Sequence, residues 1–444
     1  MPALRFLAML TLLSAWGCMT PTRESAAPSQ MPRVVLSPPA QAVVQATETL
    51  PTLAAIIQPP ISTLSTDHQP TETPEPETTP EPAQATHTPA PIVTFSPDYN
   101  PLTGQTVDDP AVLDRRPIVV KVSNSPGLVR PQSGLSQADW VFEHYTEAGI
   151  TRFSALFYGQ APRRVGSVRS ARLIDYELAP MYDALLAFSG ASIGVDKRIY
   201  GSEAVIDLLC RPRQDAEQCR QDVLNAGPVG FIPPSDFVQR AYKGVLFGPP
   251  AFIRDESIPV PHNYFVDLWE LWARAERDGN GGRPSLRGAL TFSDEPPAGG
   301  QPSPALEVRY ATTVASWKYV PEMGRYRRIT DGVPQIDANN DQPIMADNVI
   351  VLYAGHYLTD IVESQWRDTV HWSEQITVWP EGEMILWRDG QRYEGRWLRL
   401  HRSEPLTFVA HTGDPLPLKR GQTWVQLVRL PDQMNAEREW VRWD

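Results

Sequence analysis

Apolar and polar positions along the chain fall into three textures. The first is brief. One basic residue, Arg5, precedes an apolar run from Phe6 to Leu13, which ends in Ser14-Ala15-Trp16-Gly17-Cys18. The run is shorter than the roughly 20 residues a transmembrane helix needs. From Met19 to about Asn100 periodicity disappears into Pro, Thr, Ala and Ser. The apolar island Leu50 to Ile61 is punctuated too closely by Pro51, Pro59 and Pro60 for a long helix. Such a composition reads as a disordered, proline-stiffened stalk.

Order begins near Asn100-Pro-Leu-Thr-Gly. Pro117 to Ser123, Ala138 to Tyr145 and Thr151 to Tyr158 are apolar or alternating runs that predict strands. Arg172 to Tyr182 and Tyr200 to Leu209 predict helices, and Ala184 to Phe188 a short buried strand. Tyr264 to Arg277 carries Phe265, Leu268, Trp269 and Trp272 at helical spacing. Alternating strands and helices make this region α/β. Arg283 to Ser303 is rich in Gly, Pro and Ser and reads as a boundary. Beyond it come short β-branched or aromatic runs: 305–310, 314–320, 325–330, 348–353, 376–378, 383–389, 391–400 and 423–430. Turns such as Asp331-Gly332 and Asp389-Gly390 separate them, predicting an antiparallel β domain. The expected organisation is a signal segment over 1–18, a disordered Pro/Thr-rich linker over 19–100, an α/β domain over 101–285 and a mainly antiparallel β domain over 300–444.

Cys18 says where the protein works. A basic residue, a short apolar stretch and a cysteine have the layout of a bacterial export signal with a lipid-modifiable cysteine. Ala15 stands where Leu is usual, and Ala15 with Gly17 also suits ordinary signal peptidase, so acylation at Cys18 and plain secretion are both open. The expected site is the outer face of the cytoplasmic membrane, with the membrane itself a partner through the lipid. The net charge of -12 argues against a nucleic-acid binder. Outside the cytosol, Cys210 and Cys219 in one polar segment predict a disulfide; a metal site would need further ligands nearby.

The order of several blocks is similar to that of YerB-like lipoproteins, a family with paired domains of unknown function of the 3048 type. The blocks are Pro117-Ile-Val-Val-Lys-Val-Ser-Asn124, Arg130 to Asp139, Glu147 to Phe153, Gly166 to Arg172 and Pro261-His-Asn263. Trp317-Lys-Tyr, Tyr326-Arg-Arg, Asp347 to Val351, Gly395-Arg-Trp397 and Gly421 to Trp424 extend the resemblance, which spans about 117 to 430. It implies an envelope lipoprotein of two domains and no settled chemistry. The Cys210–Cys219 segment and His144 depart from the family pattern.

Arg163, Arg164, Arg169 and Arg172 crowd one Gly-containing stretch before a helix. Guanidinium groups bind phosphate or carboxylate through two parallel hydrogen bonds. The competing expectation is that they pair with Asp175, Glu177 and Asp183. Ser189-Gly-Ala-Ser192 follows a predicted strand, where α/β sheets place ligands. His262 and Asn263 are framed by prolines; Asn263 also suits a helix cap. With Asn124 and Ser170 from the resemblance blocks, the ligand-binding candidates are Asn124, Arg164, Arg169, Ser170, Arg172, Ser189, Ser192, His262 and Asn263. Asp337, Asn339, Asp341 and Asp347 look like calcium ligands, but the spacing lacks the loop's Gly and terminal Glu. Trp317, Tyr319, Trp366, Trp372, Trp379, Trp387, Trp397 and Trp424 suit either a core or a sugar-stacking face.

No nucleotide, zinc or nucleophile-elbow motif is present, so no cofactor or metal is expected. Two functions follow. One is a non-enzymatic lipoprotein that holds an anionic wall glycopolymer or an envelope protein. The other is an envelope enzyme for phosphodiester or glycosidic bonds, with the arginines as electrostatic stabilisers and Asp175, Glu143, Glu147 or His262 as acid and base.

Overall fold

The computed structural model describes residues 90–444. Cys18 and the stalk through residue 89 lie outside the described residues. The first half contains strands β1 (Ile118–Ser123), β2 (Trp140–Tyr145), β3 (Thr151–Phe157), β4 (Leu185–Phe188), β5 (Ala241–Lys243) and β6 (Tyr264–Val266). Its longer α-helices are α1 (Leu173–Met181), α2 (Ile193–Tyr200), α3 (Ser202–Leu209), α4 (Ala216–Asn225) and α5 (Leu268–Arg277). The second half contributes β7 (Ala305–Arg309), β8 (Val314–Val320), β9 (Arg325–Thr330), β10 (Asn348–Trp366), β11 (Thr369–Thr377), β12 (Glu381–Arg388), β13 (Gln391–Leu398), β14 (Thr423–Arg429) and β15 (Trp440–Trp443).

An α/β first half and a mainly antiparallel second half are what the sequence predicts. Their strands nevertheless join in one sheet, ordered β13-β12-β10-β14-β2-β3-β1-β4-β5. The seam is β14, parallel to β10 on one side and to β2 on the other. β4 is parallel to both β1 and β5. A smaller antiparallel sheet, β9-β8-β7-β15, is hydrogen-bonded separately.

Both faces of the large sheet are covered, which explains the near-continuous apolar runs of its strands. One face buries Val119, Phe142, Leu156, Leu186, Ile350 and Val425 against Ile174 and Leu178 of α1 and Val195 and Ile199 of α2. The other buries Val120, Val141, Phe153, Val349 and Trp424 against Leu271 and Trp272 of α5 and against Val308, Trp317 and Tyr326 of the smaller sheet. The smaller sheet has one wet face, so β7 alternates strictly between buried and half-exposed positions.

Three elements differ from expectation. The helix expected over 264–277 is a strand, β6, followed by α5, because the Asp267 carboxylate caps the backbone N–H groups of Trp269 at 2.9 Å and Glu270 at 3.3 Å. Asp267, not Asn263, is therefore the helix cap. Tyr200 ends one helix rather than starting the next, because Gly201 takes a left-handed φ of 82° between α2 and α3. The strand expected over 348–353 runs on to Trp366 and turns back as β11. The predicted disulfide is present: Cys210 and Cys219, with Cα atoms 5.5 Å apart, link the end of α3 to α4 around Val205, Ile206 and Val223.

Candidate functional site

The site begins with a charge placed in the wrong company. Lys121 interrupts the apolar run of β1 and points to the helix face with Ser154 of β3, its cross-strand partner, and His144 of β2. All three are buried together with Asp175 from the first turn of α1. The Lys121 ammonium donates to Asp175 Oδ1 at 2.9 Å and Ser154 Oγ at 3.0 Å, and lies 2.7 Å from His144 Nε2. His144 Nδ1 lies 2.8 Å from the Tyr145 carbonyl. A carbonyl only accepts, so Nδ1 carries the proton and Nε2 accepts from Lys121. Burial pushes Lys121 down to about 8, with Asp175 opposing. Burial, then the Lys121 charge, pushes His144 well below its ordinary value. Asp175 Oδ2 also accepts the Arg172 backbone N–H at 2.7 Å, which fixes the start of α1. The network is closed to solvent, and through Asp175 it holds the first turn of α1 and with it Arg172.

Above it, Glu147 receives two arginines. Its Oε2 accepts from Arg172 Nε at 2.6 Å and its Oε1 from Arg152 Nη2 at 3.1 Å and from Arg172 Nη2. Burial alone would raise the Glu147 carboxyl, but Arg152 and Arg172 hold it at about 2. Arg172 Nη1 also lies 3.4 Å from Glu363 of β10, whose carboxyl burial pushes up. Arg152 Nη1 donates to the Ser170 carbonyl at 2.8 Å. Arg172 is thus buried and engaged on both sides, not presented to a ligand.

Arg169 is different. Its backbone N–H donates to the Lys121 carbonyl at 2.9 Å, and its carbonyl accepts from Ser189 N–H at 3.0 Å. The chain therefore runs beside the carboxyl end of β4. Its guanidinium has one hydrogen bond, from Nη1 to the Pro261 carbonyl at 3.3 Å. Nε is buried without a partner. No carboxylate lies within ion-pair distance of it among the described residues. His262 follows Pro261; burial and the Arg169 charge push its imidazole below the ordinary value, and its Nδ1 has no partner. Ser189 accepts at its carbonyl from Val245 N–H at 3.3 Å. A Cβ on Gly190 would meet nothing within 4 Å, so this turn faces open space. Ser192, the N-cap of α2, turns its buried hydroxyl toward the Glu363 carboxyl, which it helps to hold down against the upward push of burial. Arg169, Ser170, Ser189, Ser192 and His262 thus lie around the carboxyl ends of parallel strands β4 and β5.

The remaining candidates lie elsewhere. Arg164 stacks on Phe265 with its guanidinium 3.5 Å from the ring centroid and pairs with Asp255 at 2.6 Å. Arg163 is largely exposed, 3.4 Å from Asp267. The carboxylates expected to neutralise the arginines serve other cations: Asp175 binds Lys121, Glu177 binds Arg399, and Asp183 binds Arg116 and Arg240. Asn263 Oδ1 accepts from Arg254 at 3.0 Å. Asn124 belongs to the opposite face of the sheet, where it donates to Glu143 Oε1 at 3.0 Å. There Glu143 Oε2 accepts from Arg328 Nη2 at 2.7 Å, a fully buried pair joining the two halves. With its amide nitrogen turned toward the carboxylate, Gln426 donates to Glu143 Oε2 at 2.9 Å and accepts from Arg328 Nη1 at 3.2 Å. The calcium-like run is a clamp instead: Asp337 accepts backbone N–H groups of Gly134 at 2.8 Å, Ser136 at 2.7 Å and Asn339 at 2.9 Å. Trp317, Trp387, Trp397 and Trp424 are core, whereas Trp372 is exposed. Lys121, Arg152, Arg328 and Glu363 join these networks without being among the candidates the sequence offers. A charge inside an otherwise apolar strand was the available signal for Lys121.

A mixed sheet with α1 and α2 on one face, α5 and a small antiparallel sheet on the other, and a buried charge network on each defines a two-part fold whose halves share the core on both faces. The chain belongs to the proteins of unknown function named DUF3048: the N-terminal domain of that family matches residues 102–281 and the C-terminal domain residues 306–425. It is similar to the protein named "Putative lipoprotein YerB" of Bacillus subtilis (strain 168), with 29% identity over 334 residues, covering 74% of this chain and 85% of that protein. The crystal structure of the YerB protein from Bacillus subtilis has a TM-score of 0.58 and 26% identity, covering 78% of this chain and 99% of that one.

Proposed function

We propose that this protein is a non-enzymatic envelope lipoprotein, acylated at Cys18 on the outer face of the cytoplasmic membrane, whose folded part holds the phosphate groups of an anionic wall glycopolymer. Arg169 carries the reading. Its neighbours Arg163, Arg164 and Arg172 face carboxylates, while Arg169 has a carbonyl and an unpartnered Nε. A guanidinium so placed offers charge-assisted donors to a phosphate oxygen. His262 and the Ser189–Ser192 turn line its approach. No helix among the described residues is long and apolar enough to cross a membrane, in keeping with attachment through a lipid.

Binding is favoured over catalysis because Glu147, the carboxylate whose charge acts on Arg169, is ionised and locked by Arg152 and Arg172. It has neither a proton to give nor freedom to take one. The test is a calorimetric titration of residues 101–444 with isolated wall glycopolymers and phosphate sugars, with products followed by mass spectrometry. Binding without turnover supports the proposal. Turnover replaces it with the enzyme reading, and absence of binding points to a protein partner.

A further inference from the structure

A second cleft opens on the far side of Glu147, between the β2–β3 connection and the hairpin of β10 and β11, with a volume of about 430 Å³. That is within the roughly 300–1,000 Å³ of ordinary small-molecule sites. Its floor and walls have a definite chemical sign. His356 is 7% exposed, and its Nδ1 lies 2.9 Å from the Ala354 carbonyl. Nδ1 therefore holds the proton and Nε2 is a lone pair, which has no partner. Glu374 Oε1 accepts from Arg429, while Oε2 has no partner. Both unsatisfied atoms are acceptors, and Arg429, which also lines the cleft, is already paired with Glu374 and Glu439, so the groups left over are ones that accept from a ligand. Trp372, 40% exposed, and Leu358, 70% exposed, form an apolar wall beside them. Gln433, bound through its amide to the His356 backbone, completes the lining.

We propose that this cleft is a saccharide subsite, in which a sugar ring lies on Trp372 and its hydroxyls donate to Glu374 and His356. Sugars combine an apolar C–H face with several O–H donors, the two features presented here together. An aliphatic amine would satisfy the acceptors without needing the flat ring. The proposal goes beyond phosphate capture at Arg169 and stands without it, because the two sites share no ligand-facing group.

The test is a titration of the detergent-solubilised full chain with the N-acetylglucosamine trisaccharide and with maltotriose, following tryptophan fluorescence and heat. Binding of either sugar is expected, weakened about tenfold or more by Trp372→Ala and largely restored by Trp372→Phe. Trp372 is exposed, so neither variant should disturb folding, and Arg169→Ala should leave sugar binding unchanged. No binding of either sugar, or binding indifferent to Trp372→Ala, overturns the proposal. So does spermidine displacing the sugar at equal concentration, which would make the cleft an amine site.

Discussion

Replacing Arg328 with methionine should destabilise both halves of the molecule together. Arg328 is fully buried, donates from Nη2 to Glu143 at 2.7 Å and from Nε to Gln335 at 2.7 Å, and lies 4.6 Å from the Trp424 ring centroid. Methionine fills much of the volume but gives no hydrogen bond. Glu143 then keeps Asn124, Thr151 and Gln426 as donors but loses its counter-charge. Breaking a buried pair by removing one partner costs about 3–5 kcal/mol. The three surviving donors place the expected loss near the lower end, about 3 kcal/mol, roughly a hundredfold in the folding equilibrium. Guanidinium unfolding of residues 101–444, followed by tryptophan fluorescence, reads this as a lower midpoint with an unchanged slope. Because β14 stitches both halves into one sheet, a single transition is expected in both proteins. A loss below about 1 kcal/mol would refute the claim that the charge is uncompensated without Arg328. Two separated transitions in the wild type would refute the shared core.

Three further outcomes follow. Cys18→Ser should release the protein from the membrane fraction; continued sedimentation with membranes would exclude the lipid anchor. Opening the Cys210–Cys219 bond, which closes a loop with a sequence separation of 9, should cost about 2.5 kcal/mol in the chain-entropy model. Hydrogen exchange should accelerate in α3 and α4 and little elsewhere, since their small cluster is separate from both faces of the sheet. His356 is held neutral, with its pKa pushed down to about 4 by burial. The unfolded chain therefore binds the extra proton first. Stability tied to this residue is present above about pH 6.5 and is lost as pH falls toward 4, by up to about 3 kcal/mol. Thermal melts between pH 7.5 and 4.5 should show a shallower loss in His356→Gln than in the wild type, and parallel curves would contradict the assignment.

The strands of the large sheet were legible because burial on both faces leaves runs such as Ile118-Val-Val and Leu185-Leu-Ala-Phe without polar interruption. The outer part of the hairpin was not. From Leu358 to Gln375 its positions alternate among charged, polar and apolar side chains on a partly solvated arm, which reads as loop. The seam was invisible for another reason: β14 pairs with β2 across more than half the folded chain, and no local pattern encodes a pairing that distant. In the candidate site, residue types pointed to the arginine-rich stretch, Ser189–Ser192 and His262 as one neighbourhood. Which arginine stays unpaired depends on Glu147, Asp255 and Asp267, brought in by other elements. The same holds for the tryptophans, since only packing separates exposed Trp372 from buried Trp317 and Trp424.

Comparing Arg169→Ala with Arg163→Ala in the glycopolymer titration tests the central claim most directly. Each variant removes one positive charge from the same stretch, so any nonspecific attraction falls equally in both. The account predicts that Arg169→Ala abolishes glycopolymer binding while the unfolding midpoint stays within about 0.5 kcal/mol of the wild type, and that Arg163→Ala binds as before. Equal weakening by both variants, or undiminished binding by Arg169→Ala, would contradict it.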